Sequence, residues 1–247
     1  KEVGFTGIQI HAGHGFLLSQ FLSPLFNQRD DQYGGSHENR NRLMLEIIYQ
    51  VRQSVGATFP IGIKINASDL LKGGVSQDDA LQTIRLLDNT CLDLIEISGG
   101  TYFPGAKSSS DSTRSGVYYA EFAQRAKTLT KIPIMVTGGI KILAEAQRVL
   151  SDEKADLVGV ARALVLDPKL PQAWLKSIHH NPMFPHFDSP PPEGITAWYT
   201  LRINAIALDQ EHKTPLALVT ALDQYLKRDE AKCLTWREAF NTYRENQ

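Results

Sequence analysis

Five short apolar runs recur along the chain, and each ends in polar or glycine residues. They are rich in isoleucine, valine and leucine, which is typical of strands buried in a parallel sheet. The runs cover residues 7–11, 60–66, 92–98, 132–138 and 155–162. This pattern predicts five buried, parallel strands.

The segments between these runs have the periodicity of amphipathic helices. In the longest, residues 36–55, apolar side chains recur at four-residue steps, and residues 77–88, 118–129 and 143–150 form shorter versions. Ser36 and Ser76 stand where helix N-caps are expected, and Gly56 stands where the longest helix would end. Strands alternating with helices predict βαβ units and the α/β class.

A parallel sheet of this kind is either doubly wound or closed into a barrel, and the glycines distinguish the two. A doubly wound dinucleotide fold carries GxGxxG after its first strand, and this sequence has no GxGxxG. Instead, Gly138 and Gly139 follow the fourth run, while Gly159 and Arg162 lie on the fifth. A phosphate site at the ends of the last two strands is typical of barrels. We therefore predict a TIM (β/α)₈ barrel of which these are the last five βα units, strands 4–8.

The spacing of the runs predicts the domain organisation. They recur about every 37 residues, so eight of them would need about 300 residues, more than the 247 present. We predict a partial barrel over residues 1–180, with a closing helix over 168–180. A proline-rich linker is expected over 181–194, and a helical C-terminal extension over 195–247. Residues 1–5 are interpreted as the end of a helix, with Gly4 at its C′ position, so the chain is expected to open within a domain.

Composition excludes several classes of protein. Hydrophobic residues make up 42% and charged residues 21%, which is typical of a globular protein. The formal net charge of −1 gives no reason to expect nucleic acid or a membrane surface as partner. Cys91 and Cys233 are too few for a disulfide scaffold and favour a reducing, cytoplasmic location. No apolar run approaches the roughly 20 residues of a membrane span.

Two histidines, His11 and His14, lie three residues apart just past the first predicted strand. Such a pair can donate hydrogen bonds to a carbonyl oxygen or bind a metal ion. No glutamate lies between them as in a zinc-protease helix, so we discount the metal. Taken alone, the pair is also compatible with two ordinary polar residues.

More specific motifs follow in a fixed order. QFLSP covers residues 20–24 and DxYGGSxENRxR covers 31–42; KINASD, EISGGTY, VTGG and VGVAR then cover 64–69, 96–102, 136–139 and 158–162. Together these motifs resemble those of the old yellow enzyme family of FMN-dependent NAD(P)H oxidoreductases, over residues 1–175. The chain is most similar to the NADH:flavin oxidoreductase branch, and its divergent tail from residue 181 suggests a fungal-like member.

The resemblance implies a (β/α)₈ barrel that holds FMN at the C-terminal ends of its strands. Hydride would pass from NADH or NADPH to the flavin, and from there to an electron-poor alkene such as an enone. His11 and His14 would hold the carbonyl oxygen of that substrate and stabilise the enolate. The phosphate of FMN would bind backbone N–H groups near Gly138, Gly139, Ala161 and Arg162. The Arg162 guanidinium would be a charge partner, whereas the glycine pair alone is equally compatible with a tight turn.

Two positions depart from the family pattern. Family reductases usually carry a tyrosine where Phe16 stands, and its phenol protonates the substrate carbon. Phe16 has no such proton. Either water or another acid donates it, or the chain favours isomerisation or quinone reduction, or it is a catalytically weak homologue. Lys64 stands where an arginine near the flavin N1 and C2 oxygen is common; its charge can still stabilise the reduced flavin, without bidentate geometry.

Two further residues are predicted at the substrate mouth, Tyr102 and Arg114, because both lie on loops after the third strand. The segment 31–42 is interpreted as scaffold: an ion-pair and capping network at the start of the long helix, formed by Asp31, Glu38, Arg40 and Arg42.

Three functional hypotheses follow. The first is an enzyme of the ene-reductase type with a small-molecule substrate. The second is a non-catalytic remnant, stabilised by self-association as a homo-oligomer or by another chain. The third is a different barrel that binds a sugar phosphate, against which the motif over 31–42 argues.

Overall fold

The computed structural model describes residues 1–103, 116–176, 178, 180–188, 190–210 and 217–245. The strands within these ranges are β1 (Ile8–Ala12), β2 (Ile61–Asn66), β3 (Leu94–Ser98), β4 (Ile134–Thr137) and β5 (Leu157–Gly159). The helices are α1 (Leu17–Leu22), α2 (His37–Val55), α3 (Gln77–Leu87), α4 (Ala120–Lys127), α5 (Leu143–Ser151), α6 (Arg162–Leu166), α7 (Leu170–Leu175), α8 (Gly194–Ala207) and α9 (Leu218–Glu245).

The five strands form one parallel sheet in the order β1-β2-β3-β4-β5. Helices α2 to α5 follow β1 to β4 in turn, as a series of βα units requires. The predicted α/β class, with five parallel strands and alternating helices, is confirmed.

The hydrophobic core lies between one face of this sheet and its helices. Ile61, Ile63 and Ile65 alternate along β2 and are at most 1% exposed; they belong to one cluster with Met44 and Ile48 of α2. Burying each of these side chains contributes about 1.5–3 kcal/mol. The sheet therefore has one apolar face that the helices cover. The opposite face, here called the uncovered face, can carry polar side chains.

The predicted helix caps are present. The Ser36 side chain accepts a hydrogen bond from the backbone N–H of Asn39, at 3.2 Å. Ser76 and Asp79 form a reciprocal capping box at the start of α3. Gly56 ends α2 with φ of +89°, a conformation that side-chain-bearing residues rarely adopt.

The segment 31–42 forms polar contacts, but its ion-pair partners differ from those predicted. Asp31 pairs with Arg29. Arg40 is buried and donates to the backbone oxygens of Leu22 (3.0 Å) and Gly35 (2.6 Å). Its guanidinium also lies 3.4 Å from the Asp79 carboxylate. The ion-pair partner of Arg40 is thus Asp79 of α3, and not Asp31 or Glu38, which lie near Arg40 in the sequence.

The chain divides into two compact units, Lys1–Val160 and Ala161–Gln247. The second unit contains α6 to α9 and a small core of its own around Trp198, Tyr199 and Ala221. No helix in the described parts of the chain is long and apolar enough to cross a membrane.

Two local predictions were wrong, on the extent of the fifth strand and of the closing helix. The fifth strand ends at Gly159, because only three residues pair with β4, and Arg162 begins α6. The helix expected over 168–180 is limited to α7, six residues long. Gly4 has the positive φ (+92°) expected of a C′ glycine and donates its N–H to the Lys1 oxygen at 3.0 Å; that residues 1–5 end a helix stays a prediction.

Candidate active site

Parallel register brings three chemically active side chains of neighbouring strands side by side. His11 is paired with Lys64, and Lys64 with Glu96. Because side chains alternate between the two faces of a strand, these three share one face, while Ile10 and Ile63 are buried on the other. The uncovered face therefore carries an imidazole, an ammonium and a carboxylate in one row.

Lys64 and Glu96 form an ion pair, with 2.8 Å between Nζ and Oε1. The Glu96 carboxylate also accepts hydrogen bonds from the Gln9 amide (2.8 Å) and the Thr137 hydroxyl (2.7 Å). Burial alone would raise the pKa of Glu96, but the hydrogen bonds from Lys64 and Thr137 outweigh it and hold that pKa below its usual value. The Glu96 carboxylate is thus ionised at neutral pH.

The two histidines meet at the carboxyl end of β1. Their ring centroids are 5.2 Å apart and the rings are nearly perpendicular, at 86°. The N–H of Gly13 donates to Nδ1 of His11 at 3.3 Å, which leaves the proton of a neutral His11 on Nε2. Nε2 of His14 lies 2.9 Å from the Ser98 hydroxyl, and the His14 backbone N–H donates to Asn66 Oδ1 at 3.0 Å.

Both imidazoles are neutral at pH 7. Partial burial and the nearby charge of Lys64 lower the pKa of His11, although Glu96 opposes them. Burial, followed by the charges of Lys64 and His11, lowers the pKa of His14 to about 4. Each ring therefore has one N–H to donate. Within the described ranges, no group of three or more His, Cys, Asp or Glu is arranged to hold a metal ion.

Phe16 and Tyr102 complete a ring cluster with the two histidines. The Phe16 ring lies 5.1 Å from His11, and the Tyr102 ring lies 5.7 Å from Phe16 and 6.0 Å from His14. Both side chains are exposed, Phe16 to 50% and Tyr102 to 71%. The structure thus brings four of the predicted site residues together. Arg114 lies outside the described residues.

Gly138 and Gly139 form a turn directly after β4. Both have positive φ, +122° and +82°. A Cβ on Gly139 would lie 2.1 Å from the backbone oxygen of Gly116, and the Gly138 oxygen accepts a hydrogen bond from the Tyr118 N–H at 3.1 Å. These contacts explain why the turn needs glycine, and they leave its role toward a phosphate as a prediction.

Ala161 and Arg162 belong to the second compact unit, whereas the glycine pair belongs to the first. Ala161 is the N-cap residue of α6, and the guanidinium of Arg162 lies 5.7 Å from the centre of the Tyr199 ring. A phosphate site shared by these residues and the glycine pair stays a prediction.

Sequence reasoning missed the partners that hold the site residues. Glu96, Gln9 and Thr137 were not singled out as site residues, although their positions carried a signal. Gln9 and Glu96 each lie between two isoleucines on a strand, and Thr137 follows Val136 at the end of β4, which predicts side chains on the uncovered face. The pairing of Glu96 with Lys64 depends on strand register, which the sequence alone does not show.

Comparisons with known proteins identify the family of this chain. The model of the NADH:flavin oxidoreductase / NADH oxidase family matches residues 1–181. The "NADH-dependent flavin oxidoreductase iliE" of Neonectria sp. is 35% identical over 188 residues, which cover 71% of this chain and 24% of that protein.

Solved structures share the fold. A 2-naphthoyl-CoA reductase complex with 2-naphthoyl-CoA has 27% sequence identity and a TM-score of 0.66, over 71% of this chain and 27% of that one. Morphinone reductase in complex with tetrahydroNAD has 25% identity and a TM-score of 0.57, over 78% of this chain and 47% of that one. The neighbours are old yellow enzyme barrels, so the predicted relation to a TIM barrel is confirmed.

The chain matches only part of its relatives. In six curated relatives the matched part spans between 24% and 51% of their length. The family is nevertheless clear, because the family model matches most of the chain and the relatives share both sequence and fold. This chain belongs to the NADH:flavin oxidoreductase / NADH oxidase family, the old yellow enzyme family of FMN-dependent oxidoreductases.

Proposed function

We propose that this chain is part of an FMN-dependent oxidoreductase that uses NADH or NADPH to reduce an electron-poor alkene, such as an enone. The observation that carries the proposal is the pair of neutral imidazoles at the carboxyl end of β1, 5.2 Å apart and beside the Lys64–Glu96 pair. The names of the relatives support an NADH-dependent flavin reaction. We further propose that residues 1–180 correspond to strands 4–8 of the barrel, followed by a linker and a helical extension.

Two features fit FMN, one on the uncovered face and one at the end of β4. Lys64 offers ammonium donors at the position predicted for the flavin pyrimidine edge, and Glu96 holds its Nζ at 2.8 Å. The Gly138–Gly139 turn directly follows β4, at the strand end where the phosphate of FMN is expected, and a turn of positive φ can present backbone N–H groups to an anion. When bound, FMN supplies the chemistry of accepting hydride from a reduced nicotinamide and delivering it to the substrate.

The histidine pair binds the substrate carbonyl oxygen. Nε2–H of His11 is one donor. His14 uses Nδ1–H, because its Nε2 is engaged by Ser98, whose hydroxyl then donates to that nitrogen. Two donors aimed at one oxygen stabilise the negative charge that develops there, and loss of one such donor typically costs about 10²–10³ in rate.

The depressed pKa values have a role in this scheme. Because both rings are neutral at pH 7, they bind a neutral carbonyl compound by hydrogen bonds and do not attract anions by charge. Burial and then the ammonium of Lys64 lower the pKa of both rings and keep them neutral, whereas the Glu96 carboxylate opposes this effect.

The test is binding of FMN to the purified chain, followed by NADH-dependent reduction of 2-cyclohexen-1-one. We expect the visible absorbance of bound flavin. We also expect His11→Ala and His14→Ala each to lower kcat/KM for the enone by about 10²-fold or more. His186→Ala is the matched control, because His186 is 89% exposed. A chain that takes up no FMN would contradict catalysis by this chain and favour the non-catalytic remnant.

A second candidate function is isomerisation or quinone reduction. The observation in its favour is Phe16, whose ring sits beside His11 and has no acidic proton. Turnover of 1,4-benzoquinone, without reduction of any enone by the unvaried chain, would support this alternative.

A further inference from the structure

We propose that the Tyr102 phenol is the acid that protonates the substrate carbon in place of the tyrosine missing at Phe16; this inference rests on the function proposed above. Tyr102, on the loop that follows β3, then has a catalytic role in addition to lining the substrate mouth.

The need for a donor arises at Phe16. Its ring lies 5.1 Å from His11, which binds the carbonyl oxygen, and half of its surface is exposed. A substrate held by the histidines therefore has the Phe16 ring as a neighbour. A hydrocarbon ring contributes contact there but no proton.

Tyr102 supplies the phenol of the ring cluster. Its ring centroid is 5.7 Å from that of Phe16 and 6.0 Å from that of His14. Tyr102 therefore lies beside the position that lacks a proton donor and beside the carbonyl-binding pair. The side chain is 71% exposed, which leaves its hydroxyl accessible to a substrate and to water.

The backbone of Tyr102 is held on both sides. Its N–H donates to the His14 oxygen at 3.3 Å, and Thr101 forms a bridge with His14. Next to it, the Phe103 ring stacks on Phe26 with a centroid distance of 4.3 Å. These contacts tie Tyr102 to the residue that binds the substrate oxygen, so the ring is kept near the reaction centre.

The step balances with groups already named. With FMN bound and reduced by NADH or NADPH, a hydride would reach the β-carbon of the enone, the C=C π bond would break, and its electron pair would pass through the α-carbon to the carbonyl oxygen as an enolate. The O–H bond of Tyr102 would then break, the enolate C=C electron pair would take its proton to form a C–H bond at the α-carbon, and the C=O bond would re-form. Water returns a proton to the phenolate.

The first test compares acceptors that do and do not need a proton at carbon. Tyr102→Phe should lower kcat with 2-cyclohexen-1-one by about 10²-fold or more, while reduction of 1,4-benzoquinone, which needs no proton at carbon, stays within twofold. Tyr49→Phe is the matched control, because Tyr49 is an exposed tyrosine on the outer helix α2. In the double variant Phe16→Tyr/Tyr102→Phe, enone reduction should recover, because a phenol returns beside His11.

The second test does not depend on turnover. In the full chain carrying ¹³C-labelled tyrosine and histidine, with FMN and without NADH, 2-cyclohexen-1-one should shift the Tyr102 resonance, identified by its loss in Tyr102→Phe. It should also shift the His11 and His14 resonances.

The outcomes separate the two proposals. If the histidine resonances move and Tyr102 neither moves nor affects enone turnover when changed to Phe, the assignment of Tyr102 is overturned and the proposed function stands. If neither the histidines nor Tyr102 respond and the unvaried chain reduces no enone, both fail.

Discussion

Removing the charge of Glu96 should destabilise the sheet far more than removing the charge of an exposed glutamate. In Glu96→Gln the side chain keeps its shape, but the ammonium of Lys64, 2.8 Å away, loses its counter-ion. At an effective dielectric constant of about 20, that attraction amounts to about 6 kcal/mol before desolvation is subtracted.

The net loss is smaller than this attraction. Breaking a buried ion pair by removing one partner typically costs about 3–5 kcal/mol. The Glu96 side chain is 7% exposed, but that of Lys64 keeps 19% and can turn toward water. We therefore expect the lower end of the range, about 3 kcal/mol.

The chain offers a matched control in Glu121. Its carboxylate pairs with Lys154 at 2.6 Å, a distance similar to the Lys64–Glu96 pair, but the Glu121 side chain is 77% exposed. Because water screens exposed pairs, Glu121→Gln should cost less than about 1 kcal/mol. The two substitutions are chemically identical and differ chiefly in burial.

The measurement is the free energy of opening from amide hydrogen exchange in β2 and β3, supported by urea unfolding. Tryptophan fluorescence is unsuitable, because Trp174, Trp198 and Trp236 all belong to the unit 161–247. Equal losses for Glu96→Gln and Glu121→Gln would refute the reasoning. So would a failure of Lys64→Met to restore stability in the Glu96→Gln background, where no unpaired charge would remain.

Other measurements test the pH dependence and two local conformations. Between pH 6.5 and about 4 the folded chain carries fewer protons on His14 than the unfolded chain, so the free energy of unfolding should fall as the pH drops through this window. An NMR titration should place the His14 midpoint near 4; a midpoint near 6.5 would contradict the burial argument. Ser76→Ala should cost about 1 kcal/mol in urea unfolding through loss of the capping box, whereas Ser54→Ala, at an exposed hydroxyl near the end of α2, should change little. Gly139→Ala should cost clearly more than Gly35→Ala, because both have positive φ but only the former brings Cβ against a backbone oxygen, at 2.1 Å. Similar losses of thermal stability for the two variants would show that backbone strain alone, and not the contact of Cβ, sets the cost.

The strands and helices could be predicted from the sequence because the buried apolar positions and the capping residues indicate the same elements. Alternating isoleucines such as Ile61, Ile63 and Ile65 indicated the strands to within two residues at most ends, and serine caps fixed the starts of α2 and α3. Prediction failed where an element is short. Helix α1 has six residues and β5 has three, so neither is long enough to repeat its hydrophobic pattern twice. The apolar residues after β5 then extended the predicted strand wrongly.

The candidate site could be predicted only where its residues lie close together in the sequence. His11, His14 and Phe16 are near in sequence, so their clustering could be expected. The approach of Tyr102 to His14 and Phe16, at 6.0 and 5.7 Å, required the third strand to end beside the first strand's loop. The ion pair of Lys64 with Glu96 depended on the register between β2 and β3, which hydrophobic pattern alone leaves open.

That register also bears on which genetic changes this chain can tolerate. His11, Lys64 and Glu96 share a level because each strand is in step with its neighbour. Deleting one residue within β2 would turn Lys64 toward the isoleucine core and carry an isoleucine onto the uncovered face. A residue added beside the exposed Lys72 and Gly73, in the loop between β2 and α3, would leave the strand in step. Length variation in related sequences should therefore fall between the strands and avoid the codons of the strands themselves.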